Sequence, residues 1–129
     1  MSIHVRSLDH VTLVVKNLDA TRRFYVELLG MQEVTRPGFS FPGQWFQAGP
    51  TLIHTNLESA ETGPAGTGAW TKPRGHHFAF LVDDCRQAGE ELQRAGVAFA
   101  SPPKQRPDGA WQLFVQDPDG YLVELCSMR

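Results

Sequence analysis

The stretch that decides the fold is Asp9-His10-Val11-Thr12-Leu13-Val14-Val15, because its pattern returns later in the chain. Residues 76–82 read His76-His77-Phe78-Ala79-Phe80-Leu81-Val82, 67 positions further on. Both stretches are rich in β-branched or aromatic residues, which is typical of β-strands. A pattern that recurs at a nearly constant offset indicates an internal repeat. We therefore expect two copies of one structural unit in this chain.

The elements after each of these strands repeat as well. Residues 20–29 carry apolar and charged side chains on opposite faces, which predicts an amphipathic helix that Asn17 or Asp19 caps and Gly30 ends. In the second half, Asp83 or Asp84 caps a helix that Gly96 stops. Short strands complete each half, and a turn region is expected at 102–108. The later strand candidates are residues 32–36, 44–47, 51–56, 97–100, 110–116 and 121–126.

Each half therefore follows the order β-α-β-β-β, which makes the predicted fold class α+β. Residues 58–74 are rich in Gly, Pro, Thr and Ala, so this segment is interpreted as a linker or a lid. We expect one domain over residues 1–129. It consists of module 1 at about 6–57, the linker, and module 2 at 75–128.

Composition excludes several classes of protein. The chain of 129 residues is 41% hydrophobic and 20% charged with a net charge of −2, so it is neither disordered nor a basic nucleic-acid binder. It contains no apolar run long enough to span a membrane, and its first residues lack the apolar stretch of a secretory signal. Two cysteines are too few for a disulfide framework, which favours reduced thiols and a cytoplasmic location.

One face of the predicted strands collects residues that bind metals. Side chains alternate between the two faces of a strand, and the large apolar residues occupy the other face. A single strand histidine is more often a hydrogen-bonded residue than a ligand, but here the repeat also relates the four candidates in pairs. Imidazole and carboxylate donors suit Zn²⁺, Fe²⁺, Mn²⁺, Co²⁺ or Ni²⁺, and a cation would compensate a buried carboxylate. The candidates are His10 with His77, and His54 with Glu124.

Aromatic residues are unusually dense outside the regular strands. They favour a pocket for an apolar or aromatic small molecule, with ordinary packing as the alternative. Arg36 and Arg74 are interpreted as solvated, with binding of a substrate carboxylate as the alternative. The predicted pocket residues are Phe39, Phe41, Trp45 and Trp111, and Trp70 belongs to the same group of aromatics.

Four segments give the chain a family resemblance. They are Leu8-Asp9-His10-Val11, residues 24–31 (FYVELLGM), residues 77–84 (HFAFLVDD) and residues 117–125 (DPDGYLVEL). With them, nearly the whole chain resembles the vicinal oxygen chelate superfamily of glyoxalases, bleomycin-resistance proteins and ring-cleaving dioxygenases. The resemblance implies paired βαβββ modules that curl into half-barrels around a divalent metal, often in a homodimer. It also implies ligands from the first and last strands of each module, at His10, His54, His77 and Glu124.

The residue at position 54 bears on which reaction to expect. Glyoxalase I enzymes typically carry a carboxylate there, whereas the set His10, His77 and Glu124 matches the facial triad of two histidines and one carboxylate. The resemblance implies a metal-dependent enzyme acting on a small molecule with two adjacent oxygens. Its reaction would be that of a lyase, an isomerase or a ring-cleaving dioxygenase, with Glu124 and His54 as catalytic residues. A metal-free small-molecule binding protein of the bleomycin-resistance type is the alternative.

Overall fold

The computed structural model describes residues 2–66 and 72–128 of the chain. The chain divides into two compact units, Met1–Ala65 (unit 1) and Gly66–Arg129 (unit 2), and the division falls within the predicted linker. Residues 67–71 of that linker, Trp70 among them, lie outside the described residues. Neither helix in the described ranges has the length and hydropathy that a bilayer-spanning segment requires.

Unit 1 builds a four-stranded mixed sheet in its described residues. Strand β1 pairs in parallel with β4, and β4, β3 and β2 follow as antiparallel neighbours in the order β1-β4-β3-β2. Helix α1 (Leu18–Arg22) continues directly into π-helical turns, Arg23–Leu28. The strands are β1 (His10–Val15), β2 (Gln32–Val34), β3 (Gly43–Ala48) and β4 (Thr51–Leu57).

Unit 2 repeats this arrangement in its described residues. Strand β5 pairs in parallel with β8, and the sheet order is β5-β8-β7-β6. Helix α2 spans Cys85–Arg94. The strands are β5 (Phe78–Leu81), β6 (Phe99–Gln105), β7 (Trp111–Gln116) and β8 (Leu122–Ser127). The predicted α+β fold of two βαβββ modules is therefore confirmed.

Local chemistry explains where the helices begin and end. The Asn17 side chain accepts a hydrogen bond from the Ala20 backbone N–H at 2.9 Å, and Asp84 accepts two bonds at the start of α2. These bonds satisfy donors that have no partner within the helix. Gly30 and Gly96 follow the helical segments with φ of 80° and 81°, a conformation that favours glycine.

The core of each unit consists of the apolar strand face and the helix above it. In unit 1, Tyr25 from the π-helical turns stacks on Phe46, and both are fully buried. In unit 2, Leu92 of α2 is buried together with Leu113 and Val123 of the sheet. The opposite face of each sheet is left to more polar residues, as the alternation predicts.

The expected turn at 102–108 is wrong for residues 102–105, which belong to strand β6. This strand runs through Pro102 and Pro103 as far as Gln105, with register shifts against β7 between Phe99 and Lys104. Proline cannot donate to a ladder, so it is tolerated where a strand has one neighbour only or forms a bulge. Because β6 is the edge of its sheet, both prolines fit within it.

Gly89 packs helix α2 closely against the sheet of unit 2. A Cβ added at this position would lie 2.7 Å from Cγ of Pro103. Alanine in a helix normally gains up to about 1 kcal/mol over glycine, but the overpacking should reverse the sign. We expect Gly89→Ala to lower the free energy of unfolding by about 1–3 kcal/mol in urea titrations.

Gly38 offers a matched control for this substitution. A Cβ at Gly38 meets nothing within 4 Å. Gly38→Ala should therefore change the free energy of unfolding by less than about 0.5 kcal/mol. Equal free energies of unfolding for the two variants would show that α2 does not approach Pro103 this closely.

Candidate functional site

The predicted ligands of unit 1 lie side by side on one face of its sheet. His10 stands on β1 and His54 on the adjacent β4, and their rings stack with centroids 3.9 Å apart. Trp45, the partner of His54 on β3, stacks on the other side of His54 at 4.3 Å. The three rings form a continuous stack across the sheet, with the His54 imidazole in the middle.

A carboxylate orients the His10 ring. Nδ1 of His10 lies 2.8 Å from Oδ2 of Asp9. Because an ionised carboxylate only accepts hydrogen bonds, Nδ1 carries the proton and Nε2 keeps its lone pair. Histidines that bind metals are commonly oriented in this way. No pattern in the sequence indicated this role for Asp9.

His54 has a buried ring nitrogen with no partner. Its Nε2 is inaccessible to solvent and forms no hydrogen bond within the described residues. The pKa of His54 is lowered, mainly by burial and then by the charge of His10, with Arg36 adding to the effect and Asp9 opposing it. The neutral imidazole is therefore favoured, with a lone pair available for a cation or a proton.

The predicted ligands of unit 2 are in direct contact. His77, just before β5, places Nε2 at 3.0 Å from Oε1 of Glu124 on β8. The Glu124 side chain is only 7% exposed. Nδ1 of His77 lies 3.3 Å from the Gly75 carbonyl oxygen, which can only accept, so Nδ1 carries a proton there. Nε2 and the carboxylate oxygen therefore share either a proton, as in a hydrogen bond, or a cation.

The second oxygen of Glu124 faces an arginine. Nη1 of Arg106 lies 3.6 Å from Oε2 of Glu124, and Arg106 is itself paired with Asp108 through two contacts of 3.2 and 2.7 Å. Hydrogen bonding to Arg106 lowers the pKa of Asp108 to about 2. Arg106 lies in the predicted turn region at 102–108, where no signal in the sequence connected it with Glu124.

The predicted pocket aromatics separate into two groups. Phe39 stacks on Phe41 at 5.1 Å and lies 6.3 Å from Trp45, so these three continue the ring stack in unit 1. The Arg36 guanidinium sits 4.8 Å from the Phe39 ring centroid. Trp111 behaves differently. Its register places it on the face of unit 2 that packs against α2, where Arg86 covers it at 4.7 Å, and not on the face of Glu124.

The donor pair of unit 2 has a spacing that suits a divalent ion. Two ligands about 2.1 Å from an ion and about 90° apart are separated by about 3.0 Å, which is the distance from Nε2 of His77 to Oε1 of Glu124. In unit 1, the buried Nε2 of His54 has no hydrogen-bond partner among the described residues. The structure groups the four predicted ligands as these two pairs. Within residues 2–66 and 72–128 it shows no cluster of three or more His, Cys, Asp or Glu suited to a metal.

A thiol nucleophile is not favoured at this face. Cys126 lies two residues after Glu124 on β8, and burial followed by the charge of Glu124 raises its pKa. Burial also raises the pKa of Cys85 to about 11. Both thiols therefore stay protonated near neutral pH, and the imidazoles and Glu124 remain the reactive groups.

Comparison with known proteins identifies the class to which this fold and site belong. The model of the Glyoxalase/Bleomycin resistance protein/Dioxygenase superfamily matches residues 7–125. The chain therefore belongs to that superfamily, as the resemblance implied.

Individual relatives agree with this membership. The chain is 26% identical to Glyoxylase I 4 of Arabidopsis thaliana over 97% of its own length and 72% of the relative's. It is 30% identical to the lactoylglutathione lyase of Schizosaccharomyces pombe over 93% of its length, but spans only 47% of that protein. Among solved structures, a glyoxalase family protein of Bacillus anthracis matches with a TM-score of 0.80, 26% identity and 98% coverage of both chains.

Proposed function

We propose that this chain is a divalent-metal-dependent enzyme that transfers a proton on a small molecule with two adjacent oxygens, as a lyase or isomerase does. The observation that carries the proposal is the pair His77–Glu124, a buried carboxylate 3.0 Å from an imidazole nitrogen. A divalent ion could replace the proton between these two donor atoms and would compensate the charge of the buried carboxylate. Membership of the superfamily and the similarity to a lactoylglutathione lyase support the same class of chemistry.

In unit 2, His77 and Glu124 would hold an ion. In unit 1, His10 and His54 are the proposed ligands, and His54 is the base if it does not bind metal. A bound divalent ion supplies Lewis acidity to the two substrate oxygens. Asp9 contacts Nδ1 of His10, and the Gly75 carbonyl oxygen contacts Nδ1 of His77, whose Nε2 faces Glu124. His54, whose lowered pKa favours the neutral ring, is suited to accept a proton from a carbon next to a carbonyl group.

The aromatic rings of unit 1 would bound the substrate. Trp45 stacks directly on His54, and Phe39 and Phe41 extend the apolar surface beyond it. Both phenylalanine side chains are about half exposed at 46%, so they are open to a ligand. Trp111 is not included because it lies on the opposite face of its sheet.

We further propose that the enzyme works as a homodimer in the cytoplasm. Large apolar side chains are exposed near the edge strands β1 and β5, among them Leu8 and Leu81. Exposed apolar residues beside unpaired sheet edges are common at contacts between subunits. The two free cysteines, Cys85 and Cys126, suit a reducing compartment.

The experiment tests metal binding and proton transfer separately. Purified protein is stripped of metal, reloaded with Zn²⁺, Ni²⁺, Mn²⁺ or Fe²⁺, and analysed for bound metal by dialysis and mass spectrometry. Exchange of the α-proton for deuterium is then followed by NMR in a panel of α-hydroxyketones and α-hydroxyaldehydes. We expect one ion per complete site and metal-dependent exchange with at least one compound.

Substitution of His54 distinguishes its two proposed parts. If His54 is the base, the His54→Gln variant should still bind the ion but should exchange the α-proton about 10²–10⁴-fold more slowly. If His54 is a ligand, the same variant should also bind metal more weakly. His4→Gln, at an exposed position near the terminus, is the matched control and should alter neither. A wild-type protein that binds no ion but binds aromatic compounds would instead be the metal-free binding protein.

A further inference from the structure

Unit 2 contains an open cavity of about 770 Å³ whose described lining is rich in positive charge. We call it the basic pocket. Two of the three lysines of the chain and one arginine line it. The lining residues are Lys72, Pro73, Arg74, Gly75, Lys104 and Gln112.

The charge of the basic pocket is not neutralised by its surroundings. Unit 2 has eight acidic residues, yet none belongs to the described lining. Within residues 2–66 and 72–128, no carboxylate forms an ion pair with Lys72, Arg74 or Lys104. Arg106 differs, because Asp108 holds it in two contacts. Three cations around one cavity, with no ion pair to any of them among the described residues, produce a field that attracts anions.

The basic pocket borders the pair His77–Glu124. Gly75 lines the pocket, and its carbonyl oxygen holds Nδ1 of His77. Gln112 on β7 is paired with Lys104 on one side and with Cys126 on the other, so their side chains share one face of the sheet. Glu124, two residues before Cys126 on β8, lies on that same face.

We propose that the basic pocket binds an oxyanion group of the substrate, a carboxylate or a phosphoryl group, while the adjacent oxygens of the substrate face His77 and Glu124. This inference rests on the proposed function, since it names the substrate class for the same site. Arg74 can contact two oxygens of an anion at once, and the lysines add point charges. Gln112 can donate a further hydrogen bond.

The test titrates metal-free protein with inorganic phosphate and with malonate, each at constant ionic strength. Amide and side-chain resonances are followed by NMR. We expect saturable shifts at Lys72, Arg74, Gly75, Lys104 and Gln112. The tighter of the two anions shows whether the pocket prefers a phosphoryl or a carboxylate group. Raising the NaCl concentration should weaken binding, because exposed charges are screened.

Charge-removing variants decide whether the pocket itself binds the anion. Arg74→Gln and Lys104→Gln should each weaken binding of the preferred anion about three- to tenfold. Arg94→Gln removes a positive charge at the exposed end of α2, outside the pocket, and should leave the affinity unchanged. Equal effects of all three variants would overturn the proposal, as would the absence of saturable shifts with both anions.

Metal binding, measured on the same samples, separates this inference from the proposed function. Arg74→Gln and Lys104→Gln should keep the stoichiometry of bound metal, because neither side chain is a proposed ligand. Wild-type protein that binds metal but no anion contradicts only the basic pocket. Wild-type protein that binds the anion but no metal contradicts the proposed enzyme and leaves the pocket as an anion site.

Discussion

Replacing Glu124 by glutamine should cost at least about 100-fold in affinity for a divalent ion, more than loss of an outer-shell partner usually costs. Glu124 supplies the only carboxylate among the proposed ligands, and its side chain is 7% exposed. Glutamine keeps the shape of the side chain but removes its negative charge. The cation then loses the group that compensates its burial. Calorimetric titration of metal-free protein with Zn²⁺ or Ni²⁺ measures the change.

The matched control for this variant is Glu90→Gln. Glu90 is exposed on α2 in the same unit, so the change in charge is the same but lies away from the proposed ligands. Glu90→Gln should bind the ion as wild type does. Circular dichroism checks that Glu124→Gln is folded. A folded Glu124→Gln protein with wild-type metal affinity would show that the proposed ligand set is wrong.

The largest effect on stability is expected from Phe46→Ala. Phe46 is fully buried and its ring stacks on Tyr25 with centroids 5.9 Å apart. Truncation removes buried apolar surface and leaves a cavity between β3 and the π-helical turns. The free energy of unfolding should fall by about 3–5 kcal/mol. This is a large part of the stability of an ordinary domain, so urea denaturation at low temperature is the suitable measurement.

Phe39→Ala is the matched control, because it deletes the same side chain from a half-exposed position in the same unit. It should lower stability by about 1 kcal/mol, since nearly half of the residue stays in water after folding. As a proposed pocket residue, Phe39 should instead matter for ligand affinity. Equal losses of stability in the two variants would contradict the distinction between core and pocket aromatics.

Much of the fold was predictable because its signals are local in the chain. Alternation in residues 9–15 and 76–82 specifies strands, and the spacing of side chains after them specifies helices. Asn17 and Asp84 cap those helices through bonds to residues two or three positions away. The repeat then required two units of the same order, and the structure has them.

The candidate site was predictable to the same extent. Strand register predicts that all four candidates lie on one face, and the structure brings His10 to His54 and His77 to Glu124. Register does not predict which polar groups orient each imidazole ring through hydrogen bonds. The orientation of His10 by Asp9 therefore appears only in the structure. Whether the two pairs serve one ion stays a prediction.

Other features depend on residues far apart in the sequence, and only the tertiary structure decided them. Strand β6 tolerates two prolines because it lies at a sheet edge, and edge position depends on the pairing of the other strands. Arg106 meets Glu124, 18 positions later, because the chain returns through β7 into β8. The basic pocket likewise brings Lys72 and Arg74 near Lys104, which follows them by 32 and 30 positions in the sequence. A sequence pattern shows which residues are neighbours along the chain. Charges interact through space, so the electrostatic potential at the pocket depends on how the backbone folds.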